Sequence, residues 1–172
     1  MEPVFADLGV PRYSKRDLPA YRHLPFWNPN PFHDRDGHSY GEKLSPPQSF
    51  NVETWWDCDD YLYSVDLFNN GFWWEAHVYF KQLCLAAGQN SQAGRFILGL
   101  VLIAAAMLNY YLAEPESAAV LAQLGLDKLQ SAEDDYLGID VAALIQDMQQ
   151  CLRSDLPEYP RIRLTWKTGL GS

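Results

Sequence analysis

The sequence predicts an all-α fold, a compact bundle of about five helices with a buried central helix. Three observations predict it. Every residue from Phe96 to Leu108 is apolar or glycine, and a helix that is apolar on every face belongs in a core. Four neighbouring segments carry apolar residues at helical spacing along one face only. Capping residues, glycine or proline separate these segments from one another.

Length and charge limit the class of protein. A chain of 172 residues is long enough for one core plus an extended arm. The net charge of -9 argues against a nucleic-acid partner and against anionic membranes, because phosphate binding needs a basic patch. The apolar run of 13 residues is shorter than the roughly 20 residues that span a bilayer. We therefore expect neither a nucleic-acid partner nor a membrane span.

The cellular compartment is predicted from the N-terminus and the cysteines. Met1 is followed by Glu2 and Pro3, without the basic and apolar regions of a signal peptide. The three cysteines are odd in number and widely spaced, and each falls within a predicted helix: Cys58, Cys84 and Cys151. We expect buried free thiols in a reducing cytosol, and hence a cytoplasmic protein.

Residues 1–48 are predicted to form an extended arm packed on the helical body. Eight of the eleven prolines lie here, and proline at this density excludes a long helix. Aromatic residues alternate with these prolines, too many for a solvated tail. A flexible tail remains the alternative, chiefly for residues 1–15.

The helical domain is predicted over residues 49–153. The first helix should follow Pro46 and Pro47, with Ser49 or Asn51 as its cap. The remaining predicted boundaries are a stop at 69–71, a second helix from 72 to 87 that forms an antiparallel hairpin with the first, a central helix from 91 or 92 to 113, a fourth from 116 to 130, and a fifth after the cap Asp140.

Residues 154–172 are predicted to form a C-terminal strap. Polar and apolar residues alternate from Arg161 to Trp166, which is a strand-like period. Because the sequence offers no other strand inside the domain, we expect a strap or an edge that meets another chain.

One candidate site lies at the predicted hairpin. Asp66 falls near the end of the first helix, and Glu75 and His77 fall near the start of the second. Two carboxylates and an imidazole could bind a divalent metal or perform acid–base chemistry. However, residues two apart on a helix point about 200° apart, so Glu75 and His77 cannot easily share a ligand. The structural alternative is a helix-dipole role for Glu75 and a packed His77.

Two further groups contain candidate binding residues. His33, Asp34, Asp36 and His38 are metal-ligand types, although a turn at 36–37 explains them more simply. If His38 folded onto Glu75 and His77, arm and hairpin would build one site. The tryptophans could line a ligand pocket, although they fall at core-like helical positions: Trp55, Trp56, Trp73 and Trp74.

Four stretches resemble signatures of the DUF309 family, a helical domain of unknown function. Residues 65–77 resemble its LFN-x-G turn followed by an aromatic WEAHE helix start. Residues 98–106 are similar to its QGLIQLAAA helix, and residues 35–41 to an RD-x-x-GHSYG stretch. Residues 138–140 are similar to the start of its last helix, so the resemblance covers about residues 20–152. It implies an all-helical bundle and no particular activity.

By this resemblance, the polar signature falls on Asp66, Asn69, Glu75 and His77. The chain departs from the signature elsewhere. Val78 replaces a glutamate, Lys81 replaces an acid that is common there, and residues 98 and 102 are leucines where glutamines are common. These departures weaken an active-site interpretation of this chain.

We therefore expect a non-enzymatic cytosolic binding or structural module, pairing with itself as a homodimer. The main alternative is a metal-dependent, hydrolase-like enzyme that uses Glu75, His77, Asp66 and His38. A third possibility is a small-ligand binder with a tryptophan-lined pocket. No cofactor is predicted, and a divalent metal at Glu75, His77 and His38 belongs to the enzyme hypothesis alone.

Overall fold

The computed structural model describes residues 10–154 and 158–166, and it confirms an all-α bundle. The elements are a 3-10 helix Val52–Asp57, α1 Asp59–Asn69, α2 Trp73–Ala87, α3 Gln92–Tyr111, α4 Pro115–Gln130, the short strands β1 Asp135–Tyr136 and β2 Ile139–Asp140, and α5 Val141–Arg153. From residue 10 to residue 48 the chain is extended or in turns, without a helix or strand.

The prediction of one continuous first helix is wrong, because this stretch forms two helices, the 3-10 helix and α1. Asn51 caps the 3-10 helix by accepting a hydrogen bond from the Glu53 amide. Cys58 then has extended backbone angles, and α1 starts after it. Within the 3-10 helix, Thr54 also has non-helical backbone angles, so the chain departs from helical geometry at both Thr54 and Cys58. Cys58 therefore lies between helices and not inside one, unlike Cys84 and Cys151.

The central helix α3 packs against α2 on one side and α4 on the other. Gly99 and Gly125 allow the close approach to α4: a methyl group at Gly99 would lie 2.9 Å from Leu129 Cδ2 and 3.1 Å from the Gly125 carbonyl oxygen. Small residues at the crossing point therefore set the distance between these two helices.

One face of α3 is less buried than the sequence predicted. Leu98, Leu102 and Ala105 lie along it and are only partly covered. By length and hydropathy α3 could cross a membrane, but 67% of its apolar window is buried inside the bundle. This burial is what a core helix of a helical bundle shows, and such a helix is weak evidence for a membrane.

The expectation that the C-terminal segment finds no strand inside the domain is wrong. Leu164 forms an antiparallel bridge with Ile139, and the Thr165 amide donates to the Gly138 carbonyl at 2.8 Å. The partner is the short β1–β2 hairpin before α5, which has two residues in each strand. A two-residue strand carries too little alternating pattern to be found in a sequence.

We predict that Gly94→Ala destabilises the bundle. The added methyl group would lie 2.0 Å from the Gly88 carbonyl oxygen, and this oxygen belongs to the turn that joins α2 to α3. Because backbone must move, the free energy of unfolding should fall by roughly 1–3 kcal/mol, measured by urea titration. Gln92→Ala, at an exposed position of the same helix turn, is the control and should change it little. Equal stability of the two variants would contradict the close approach.

Candidate functional site

The candidate site is built on the turn between α1 and α2. Asn70 caps α1, and Gly71 has a φ of 78°, a left-handed conformation that glycine adopts without strain. The tight turn places Asp66, in the last turn of α1, and Glu75, in the first turn of α2, at one end of the hairpin. Both carboxylates are buried, with 0% and 2% of their surface exposed.

Asp66 binds the start of the arm. Its Oδ1 accepts the Tyr13 amide at 2.9 Å, and its Oδ2 accepts the Ser14 amide at 2.8 Å. The Arg12 Nε lies 2.9 Å from the same Oδ2 and supplies the opposite charge. A buried carboxylate is tolerated only with such partners. Asp66 therefore fixes residues 12–14 of the arm to the end of α1.

Glu75 binds the arm at two more points. Its Oε1 accepts the His23 amide at 2.8 Å and lies 3.2 Å from His38 Nε2. Since a carboxylate oxygen can only accept, the proton of a neutral His38 belongs on Nε2. His38 Nδ1 then accepts from Ser39 Oγ, 2.9 Å away. The second oxygen, Oε2, is buried and has no hydrogen-bond partner among the described residues.

His77 does not join this group, although the arm brings His38 onto Glu75. Burial lowers the pKa of the His77 imidazole, the nearby Lys81 acts in the same direction, and a hydrogen bond with the Trp74 backbone opposes them. Within residues 10–154 and 158–166, no three His, Cys, Asp or Glu side chains are grouped to hold a metal ion. The structure thus supplies two adjacent groups, Glu75 and His38, rather than a ligand set.

Asn69 binds the C-terminal segment. Its amide nitrogen donates to the Ile162 carbonyl and its oxygen accepts the Ile162 amide, both at 2.7 Å. Arg161 donates to the Asn69 carbonyl at 2.6 Å. The segment also reaches the arm, because the Leu164 amide donates to the Tyr13 hydroxyl at 3.0 Å. Asp66, Glu75 and Asn69, three of the four signature positions, therefore hold the arm and the C-terminal segment.

The tryptophans of the described structure pack against different partners. Trp74 is half-buried, with its ring 4.6 Å from His23 and 6.1 Å from Phe32 of the arm. Trp73 packs against Tyr111 and Tyr159, whereas Trp55 packs against Tyr61 and Trp166. Trp74 belongs to the arm contact, and the buried Trp55 and Trp73 belong to the core.

Sequence reasoning missed the arginines of the arm. Arg16 lies 2.6 Å from Asp59 and 2.5 Å from Asp60, and it stacks over Tyr63. Arg22 donates to the Asn70 carbonyl at 2.9 Å. The sequence contained a signal for these ion pairs. The chain is acidic overall, yet basic residues occur in the arm, and two aspartates stand together at the start of α1. The arrangement as a whole attaches the arm to α1 and α2.

We predict that Asp66→Ala destabilises the protein and releases the start of the arm. The partly buried Tyr13 amide and the buried Ser14 amide lose their acceptor, so the free energy of unfolding should fall by roughly 2–4 kcal/mol. Trypsin should then cut faster after Arg12, Lys15 and Arg16, as followed by mass spectrometry. Asp57→Ala, at an exposed position, is the control. Unchanged cleavage after these three residues would contradict the role of Asp66.

We predict that His77 makes the fold less stable in acid. Its pKa is lowered in the folded state from the usual 6.5, so the unfolded chain binds the proton more readily. The stability that the neutral His77 contributes is present above pH 6.5 and is lost as the pH falls below that value. His77→Gln should therefore lose less stability on acidification than the wild type, in urea titrations on both sides of that pH. His33→Gln, at an exposed site, should behave as the wild type does.

Comparison with known proteins leaves the function to be argued from these contacts. No protein-family model matches the chain, and no curated protein matches it. The resemblance to the DUF309 family therefore stays a prediction based on its signature residues. In the geometry of the site, the buried polar residues attach the arm and the C-terminal segment to α1 and α2.

Proposed function

We propose that this chain is a non-enzymatic binding module that pairs with a second copy of itself. One observation carries the proposal: the carboxylates and the amide at the turn between α1 and α2 are bonded to the arm and to the C-terminal segment. Asp66 and Glu75 accept arm amides, and Asn69 is bonded to Ile162. A reaction centre needs polar groups directed toward a substrate, whereas the side-chain oxygens of Asp66, Glu75 and Asn69, except Glu75 Oε2, are bonded within the chain.

Large apolar side chains meanwhile lie exposed on the surface. Phe26 is fully exposed at 106% and Trp27 at 76%, both in the arm. On α4, Val120 is 61% and Leu124 is 50% exposed. Grouped apolar side chains in water favour a partner that covers them. Free thiols at Cys58, Cys84 and Cys151 support our further proposal of a cytoplasmic location.

We predict that the purified protein has about twice its chain mass of 19.7 kDa in solution. Light scattering coupled to size exclusion, over a dilution series, measures this mass directly. Because the exposed groups are few, the dimer should dissociate on dilution, with a smooth fall in the weight-average mass. A mass equal to one chain at every concentration would contradict the pairing.

A second candidate function is supported by one atom. Glu75 Oε2 is buried without a partner in the described structure, beside His38. These two side chains could be part of the ligand set of a divalent metal in a hydrolase-like enzyme. Elemental analysis of protein purified without chelators or a His-tag tests this. A stoichiometric metal that is lost in His38→Ala and kept in His33→Ala would favour the enzyme over the binding module.

A further inference from the structure

The arm contains a turn with an unusual residue in it. The Trp27 and Asn28 amides donate to the Leu24 carbonyl, at 3.0 and 3.3 Å. Pro25 is followed by Phe26, whose φ of 71° is left-handed. A turn with proline first and a left-handed residue second normally has glycine there, because a side chain is strained. The fold therefore keeps a phenylalanine where glycine would fit better.

The turn is held rigidly on the body. Asn28 Oδ1 accepts the Leu24 amide at 2.9 Å and lies 3.0 Å from His23 Nδ1, and its amide nitrogen donates to the Arg22 carbonyl at 2.7 Å. The His23 amide in turn donates to the buried Glu75. Through these bonds Glu75 on α2 holds the turn and fixes the direction in which Phe26 and Trp27 project. A pre-organised side chain loses little entropy on binding.

The two rings contribute little to the core, since Phe26 is fully exposed and Trp27 mostly so. A strained backbone that displays two rings to water is a feature to be explained by contact outside the chain. We infer that the Phe26–Trp27 turn of one copy seats on the ridge formed by Val120 and Leu124 on α4 of a second copy, reciprocally. This inference rests on the proposed self-association.

The area favours the reciprocal contact. Val120 and Leu124 are four residues apart, so they form one ridge on the exposed side of α4. An aromatic ring buries about 150–250 Å². The two rings of one turn bury about 300–500 Å², which falls short of the roughly 1,000 Å² of a specific interface. Two symmetric contacts, with the area of both ridges included, reach that value. A two-fold dimer makes each contact twice.

Charge and position favour a second copy as the occupant. Two chains of net charge -9 repel each other, and the stretch 24–32 has no charged side chain. It is therefore a surface at which an acidic copy can approach with little repulsion. Packing of Trp73 on Tyr111, and of Trp74 on His23, places the turn at the end of the bundle where α3 leads into α4. α4 begins at that same end, five residues before Val120.

The test is sedimentation velocity of the full chain in three variants. Phe26→Gly and Leu124→Ser should each weaken the dimer about tenfold or more, the loss typical of an interface anchor. Phe26→Gly should leave the melting temperature of the monomer unchanged or higher, because glycine suits its backbone. The control Leu85→Ser removes a leucine that is 41% exposed on α2, and it should leave the dimer intact.

Mixing the variants gives a sharper result. Phe26→Gly keeps its ridge and Leu124→Ser keeps its turn, so the mixture should form a heterodimer more tightly than either variant pairs alone. A wild-type dimer that resists Phe26→Gly would overturn this inference and leave the proposed function standing. A wild type that is always monomeric would overturn both. Monomers that co-sediment with phosphatidylcholine vesicles through Trp27 would overturn the inference in favour of a lipid surface.

Discussion

The buried carboxylate of Asp66 is the constraint on which the rest of the structure depends. An ionised group without exposed surface is costly unless charge and hydrogen bonds compensate it. Here two backbone amides and Arg12 do so, and all three come from the arm. The hairpin and the arm therefore stabilise each other, and neither is a complete unit alone.

Glu75 and Asn69 extend the same principle to other parts of the chain. Each buries a polar side chain at the turn between α1 and α2, and each receives a segment distant in sequence: His23 and His38 at Glu75, Ile162 at Asn69. Backbone amides as donors are geometrically fixed, so these bonds position the segments as well as holding them. These polar side chains at the turn thus attach distant segments of the chain to the hairpin.

Local patterns made most of the helices predictable, and long-range contacts explain what was missed. Helix boundaries were predictable because their signals act within a few residues. Examples are the caps Ser91 and Asp140 and the stop at residues 69–71. Helical geometry likewise separated Glu75 from His77. The pairing of residue 12 with residue 66, or of Leu164 with Ile139, leaves no period in the sequence. The partners of buried polar groups were therefore the part that only the structure supplied.

The bond between the Leu164 amide and the Tyr13 hydroxyl joins residues 151 positions apart. During synthesis Tyr13 therefore emerges long before its partner in the C-terminal segment. Before Leu164 has been made, the Tyr13 amide can bond to Asp66, but the Tyr13 hydroxyl has no Leu164 amide to accept from. Asn69 likewise cannot yet bond to Ile162. The helices can assemble progressively as they appear, whereas the contacts of Ile162 and Leu164 with the hairpin and the arm must wait until residues 162–164 have been made. Such late, non-local closure costs loop entropy and slows the final folding step.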